Sequence, residues 1–97
     1  MKVFPIRVPR KSYKGSKDFL RCKRAEYNQC AARIERYLND RIEAGPSPVQ
    51  VYIYGFIAPD LELTTERVRE VLSGVGGHNG LTVAKSPEAL RDFLQRS

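Results

Sequence analysis

Residues 54–73, YGFIAPDLELTTERVREVLS, decide how this chain is read. One reading makes them two short helices meeting at a steep angle. A small Ala58 lets the helices cross closely, while Ile57, Leu61, Leu63 and Val68 fill the angle between them. Thr64 or Thr65 caps the second helix, predicted over 66–72, with Val68, Val71 and Leu72 inward and Gly74 beyond its end. Pro59 lies inside the first helix and is expected to remove a hydrogen bond and kink it. A second reading of the same residues makes 49–57 a buried strand, Pro59-Asp60 a turn and 65–72 a packing helix in an αββ-type domain. Periodicity does not choose between them, because apolar residues over 49–58 fall on every face.

Upstream, a helix is predicted to run from a Ser16 cap to Ala44, with Gly45 as a left-handed stop and Pro46 preventing continuation. Tyr27, Cys30, Ala31, Ile34, Leu38 and Ile42 form one stripe, with Arg33 and Arg36 opposite. Lys23 and Arg24 interrupt that stripe, so the helix is expected to project beyond the core there or to be preceded by a separate segment. Residues 1–16 carry Pro5, Pro9 and five basic side chains, and read as a basic arm that adds a short edge strand through Val3-Phe4 and Ile6-Val8. Its end, from Arg10 to Lys17, is expected to be mobile without a partner. Downstream, Asn79-Gly80 signals a hairpin turn before a strand at Leu81-Thr82-Val83. Ser86 caps a last helix with Pro87 at its first position and Leu90, Phe93 and Leu94 on one face.

The pattern of residues 54–73 resembles a helix-turn-helix, with Ile57-Ala58 as the aliphatic–alanine pair. The resemblance implies a left-handed turn at Glu62, a position the family usually fills with glycine and where a non-glycine residue costs roughly 1 kcal/mol. With the long helix before it and the Asn79-Gly80 hairpin after it, the order over about 25–84 resembles a winged helix-turn-helix. The expected fold is therefore mainly α with a small β-hairpin: a three-helix core in 17–97 behind a basic arm in 1–16. The resemblance implies duplex DNA as partner and transcriptional regulation as role. Thr64, Thr65, Glu66 and Arg69 are then expected at base edges or the nearest phosphates, with His78 and Asn79 at the wing. The exposed side of the second helix, Glu66, Arg69, Glu70 and Ser73, is nearly neutral, so phosphates fall to Arg10, Lys11, Lys14 and Lys17. That neutrality also motivates a protein-interaction module as alternative, and the basic arm motivates RNA. A homodimer is considered as well, since the far end of the long helix and Leu90, Phe93 and Leu94 need partners.

Charge supports a polyanionic partner. The chain has 97 residues and a net charge of +6, but residues 1–36 carry +8 and residues 37–97 carry −2. Membranes are the less expected surface, because no lipid-binding amphipathic stretch accompanies the basic residues. The longest apolar run, 51–58, is short of the roughly 20 residues that span a bilayer, and a cytoplasmic location is expected.

Catalytic, cofactor and metal readings find little. Cys22 and Cys30 would lie about 12 Å apart along one helix, too far for a disulfide, and are expected as free thiols. His78 is the only histidine, so no metal set and no catalytic triad emerges. The glycines of 74–80 follow a helix and precede a strand, the reverse of a phosphate-binding loop. Gly77-His78-Asn79-Gly80-Leu81 is similar to a segment of the bacterial peptidyl-tRNA hydrolases. That family's catalytic histidine has no counterpart here, so neither this activity nor an enzyme of another kind is expected.

Overall fold

The computed structural model describes residues 2–12 and 17–96. Tyr13, Lys14 and the expected Ser16 cap lie outside the described residues. Elements follow in the order β1 (Lys2–Val3), α1 (Asp18–Ala44), β2 (Val49–Ile53), α2 (Tyr54–Ile57), α3 (Thr65–Leu72), β3 (Gly80–Ala84) and α4 (Pro87–Arg96), with a single 3₁₀ turn at Pro59–Leu61. The architecture is helical with one small sheet, in the strand order β1-β3-β2. β2 runs antiparallel to β3, with Val51 opposite Thr82, and β1 runs parallel to it, with Val3 opposite Ala84.

Residues 49–58 are strand and then helix. The β-branched run forms β2, and the chain turns helical at Tyr54, whose side chain is fully buried. Both readings of this stretch were therefore half right. Pro59 does not kink a helix interior. It opens the 3₁₀ turn at a position where its missing N–H is not needed.

α1 is a spine with three faces. Cys30, Ala31, Ile34, Leu38 and Ile42 are buried, as their spacing predicts. They pack with Ile57, Ala58, Val68, Val71, Leu72, Leu81 and Val83 into one core. A second face, at intervals of four, holds the turn after α2. Arg33 donates to the Leu61 carbonyl at 2.6 Å, and Tyr37 and Arg41 donate to Asp60 at 2.5 and 3.2 Å.

The third face binds the N-terminal segment. Asn39 Oδ1 accepts from the Ile6 N–H at 2.7 Å and its Nδ2 donates to the Ile6 carbonyl at 3.0 Å. Glu35 accepts from Val8 N–H at 2.8 Å, and Asn28 makes the same two-way exchange with Lys11. An extended chain rises about 3.1 Å per residue and a helix about 1.5 Å, so two strap residues keep pace with four helix residues. Asn39 and Glu35, four apart, accordingly meet Ile6 and Val8, two apart. Ile6 and Val8 are 2% and 4% exposed. Residues 2–12 are thus a strap built into the core. The edge strand expected from the arm is real at Lys2–Val3, but Ile6-Val8 bonds to side chains of α1 instead of to a strand. Arg10 and Lys11 are held in place, contrary to the mobility expected of that stretch.

Two further expectations change. α1 begins at Asp18 behind Lys17, which makes no side-chain cap. Gly45 ends it at φ −71° in extended conformation instead of left-handed, because the following Pro46 disfavours helical backbone before it. A side chain at Gly45 would collide with the Gln50 amide, which donates to the Ile42 and Ser47 carbonyls. The predicted hairpin is also absent. Residues 73–79, immediately before Gly80, form no strand, and β3 pairs with β2 across α2 and α3.

Candidate nucleic-acid interface

The wedge predicted from Ile57, Ala58, Leu63 and Val68 is assembled. Ile57, Ala58 and Val68 are buried in one core, and the partly buried Leu63 packs against that core. Leu61 and Leu63 both donate from their N–H to the Ala58 carbonyl, at 3.1 and 3.0 Å. Glu62 adopts φ 56°, ψ 37°, the left-handed turn expected at that position. The hydrogen bonds on either side, and the grip of Arg33 on Leu61, hold it there. Thr64 caps α3, its hydroxyl accepting from Arg67 N–H at 3.1 Å.

α3 presents Glu66 and Glu70 to solvent between exposed Thr64 and Ser73 at its caps, and Thr65 at its start is half-buried. Its two arginines lie on opposite flanks. Arg69 donates from Nε to the His78 carbonyl at 2.9 Å and from Nη2 to Asn79 Oδ1 at 3.3 Å, with Glu66 at 3.7 Å. The predicted outward presentation of Arg69 is therefore not what the chain adopts. Its guanidinium is drawn to the turn because that carbonyl and amide oxygen offer fixed acceptors.

That turn is well anchored. Gly77 N–H donates to the Gly80 carbonyl at 2.8 Å, which puts His78 and Asn79 at the exposed tip, one residue earlier than an Asn79-Gly80 turn. The buried Tyr54 donates its hydroxyl to the Gly77 carbonyl at 2.8 Å, and its N–H to the Asn79 carbonyl at 3.0 Å. Burial pushes the Tyr54 phenol above its ordinary value and the nearby Arg69 charge pulls it back in part. Gly76 allows this close approach: a Cβ there would stand 2.7 Å from the Tyr54 hydroxyl.

On the other flank of α3 lies a groove of roughly 480 Å³ between α3, the first turns of α1 and the strap. Its cations are Lys11, Lys23, Arg24 and Arg67, and its acids are Glu26 and Glu70, around Leu20 and Tyr27. Lys11 sits over the Tyr27 ring at 4.1 Å, and Arg24 donates to the Ser12 carbonyl at 3.0 Å. Arg67 meets Glu70 at 3.5 Å. Burial first, and then the Glu70 charge, raise the Tyr27 phenol, so it stays neutral beside these cations.

The structure thus joins Lys11 to a basic groove beside α3, and joins Arg69 to His78 and Asn79. Arg10 is turned away, pairing with Glu35 at 2.9 Å and with the Val8 carbonyl at 2.5 Å. Lys17 is exposed ahead of α1, and Lys14 lies outside the described residues. Lys23, Arg24 and Arg67 were missed as site residues. The signal was present in the first two, which interrupt the apolar stripe of α1 where the helix leaves the core. Among the described residues no cluster of metal-binding side chains occurs, and no helix is long and apolar enough to cross a membrane. Comparison with known protein families, curated proteins and solved structures returned no match.

Proposed function

We propose that the protein binds duplex DNA as a small regulator of the helix-turn-helix type, with the wing of a winged helix reduced to the turn at Gly77–Gly80. The observation that carries this reading is the left-handed Glu62 hinge, closed by buried Ala58 and Val68, together with a groove rich in cations on one flank of the helix that follows it. The start of α3, with Thr64, Thr65 and Glu66, enters the major groove, where a glutamate accepts from cytosine. Lys11, Lys17, Lys23 and Arg24 hold phosphates along one strand. His78 and Asn79 reach the neighbouring backbone, and Arg69 positions them.

The test is fluorescence anisotropy on labelled mixed-sequence duplexes at about 50 mM salt, and again at about 200 mM. Binding is expected to weaken steeply with salt. Lys11→Gln with Lys23→Gln should weaken all sequences alike and flatten the salt slope by about 2. Glu66→Gln should change the preferred sequence. No binding at micromolar protein in the low-salt arm rejects DNA.

One observation favours a second reading, a protein-interaction module on the same scaffold. Glu66 and Glu70 dominate the outer face of α3, and both its arginines have partners within the chain. Absence of nucleic-acid binding supports that module, whereas preference for structured RNA over duplex moves the reading to RNA.

A further inference from the structure

We infer that the outer edge of β2 is a self-complementary docking strand, through which two copies of this chain join antiparallel into one continuous sheet. β2 is at the rim of the sheet. Its register on β3 is extended at both ends, by Lys85 N–H to the Pro48 carbonyl at 2.8 Å and by Tyr54 N–H to the Asn79 carbonyl at 3.0 Å. In an antiparallel ladder, hydrogen-bonded residues alternate. Gln50 and Tyr52 therefore direct their N–H and C=O groups at β3, and Val49 and Val51 direct theirs outward, as Ile53 does its N–H, while the Ile53 carbonyl stands at the N-cap of α2. Among the described residues no backbone hydrogen bond outside the regular elements reaches these outward groups.

Edge strands are ordinarily blunted by a charge, a proline or a bulge. β2, VQVYI, has none of these within it. Val51 is 63% exposed and Ile53 41%. A two-fold axis through Val51 sets Val51 opposite its own copy, and Val49 opposite Ile53 of the copy. The Val51 pair exchanges two hydrogen bonds, and each Ile53 N–H donates to the Val49 carbonyl of the copy, all in a single register. A shift by one residue would turn the β-branched row to the other face, and a shift by two would strand groups at the ends. In the centred register, valine and isoleucine meet across the axis on one face, which suits cross-strand packing.

Charge points the same way. β2, VQVYI, carries no charged side chain, whereas Lys11, Lys23, Arg24 and Arg67 gather in the groove beside α3. Pairing at β2 therefore brings no like charges of the two strands together. Five residues of ladder make a small interface, so the dimer forms and dissociates in the micromolar range.

This inference does not depend on DNA, and its test uses the protein alone. Sedimentation equilibrium from about 1 to about 300 μM chain should show the mass rising from 11.0 kDa towards twice that value. Val51→Lys places two ammonium groups across the axis and should hold the mass at one chain. Val51→Pro removes an N–H that the monomer does not use, leaving the ladder to β3 intact, and should do the same. Both variants should keep the wild-type circular dichroism spectrum. Amide exchange at Val51 and Ile53 should slow with concentration in the wild type alone. A wild-type mass of one chain throughout the range overturns the inference, and so does a dimer that survives either substitution.

Discussion

Two extended segments of this chain meet the same problem and solve it differently. The strap, residues 2–12, and β2 both carry backbone N–H groups that no regular neighbour strand completes. Along the strap, side chains of α1 take that place: Asn39, Glu35 and Asn28 accept from Ile6, Val8 and Lys11. Along β2 the outward groups of Val49, Val51 and Ile53 have no such acceptors among the described residues. A helix with amides and a carboxylate at the right interval can therefore stand in for a strand. Where it is absent, an edge stays open to another molecule.

The strap side of this contrast breaks most strongly through its apolar anchors. Ile6→Ala with Val8→Ala should cost about 3–5 kcal/mol of unfolding free energy in urea, because both side chains leave cavities in the core. A loss below about 1 kcal/mol would mean that the strap is an accessory to the fold. Asn39→Ala comes next, at about 1–3 kcal/mol, since it leaves the Ile6 N–H and carbonyl without partners. Faster amide exchange at Ile6, with little change at Val83, would localise the effect.

The smallest effect is electrostatic. Burial alone would raise the Glu35 carboxyl, but it is outweighed by the Val8 N–H, the Arg10 hydrogen bond and the charges of Arg10 and Arg7, which together hold it below the ordinary 4.5. A carboxyl depressed in the folded state lends stability above its unfolded value and loses it as pH falls through the folded one. Melting temperature should therefore drop as pH falls below 4.5, and part of that drop should vanish in Glu35→Gln. An unchanged pH profile in the variant would exclude Glu35 as a contributor.

Much of the fold was legible because it rests on local rules. The α1 stripe follows from a period of 3.6 residues, and the inward side of α3 follows from the same rule. Thr64 and Ser86 act as caps where their hydroxyls stand before apolar runs; Ser86 accepts from the Ala89 N–H at 3.1 Å. The left-handed turn at Glu62 was legible from its place in the motif, although glutamate seldom adopts it. The candidate site was less readable. Arg69 was expected to face outward because the helical wheel puts it there, yet acceptors in a turn nine residues later claim it. Lys23 and Arg24 register only as faults in a stripe until α3 and the strap close a groove around them.

The chain's residue pattern alone settled α1, α3 and α4 and the concentration of positive charge towards the amino terminus, but left residues 49–57 open between strand and helix. Each depends on residues within a few positions of one another, where backbone geometry dictates who meets whom. Tertiary structure alone decided that the basic segment is a strap, that β3 pairs with β2 instead of forming a hairpin, and which edge of the sheet stays open. Those outcomes depend on contacts between residues some thirty positions apart, such as Asn39 with Ile6 and Thr82 with Val51. Side-chain amides and strand edges carry no periodic signature, so only the folded chain shows which backbone groups they satisfy.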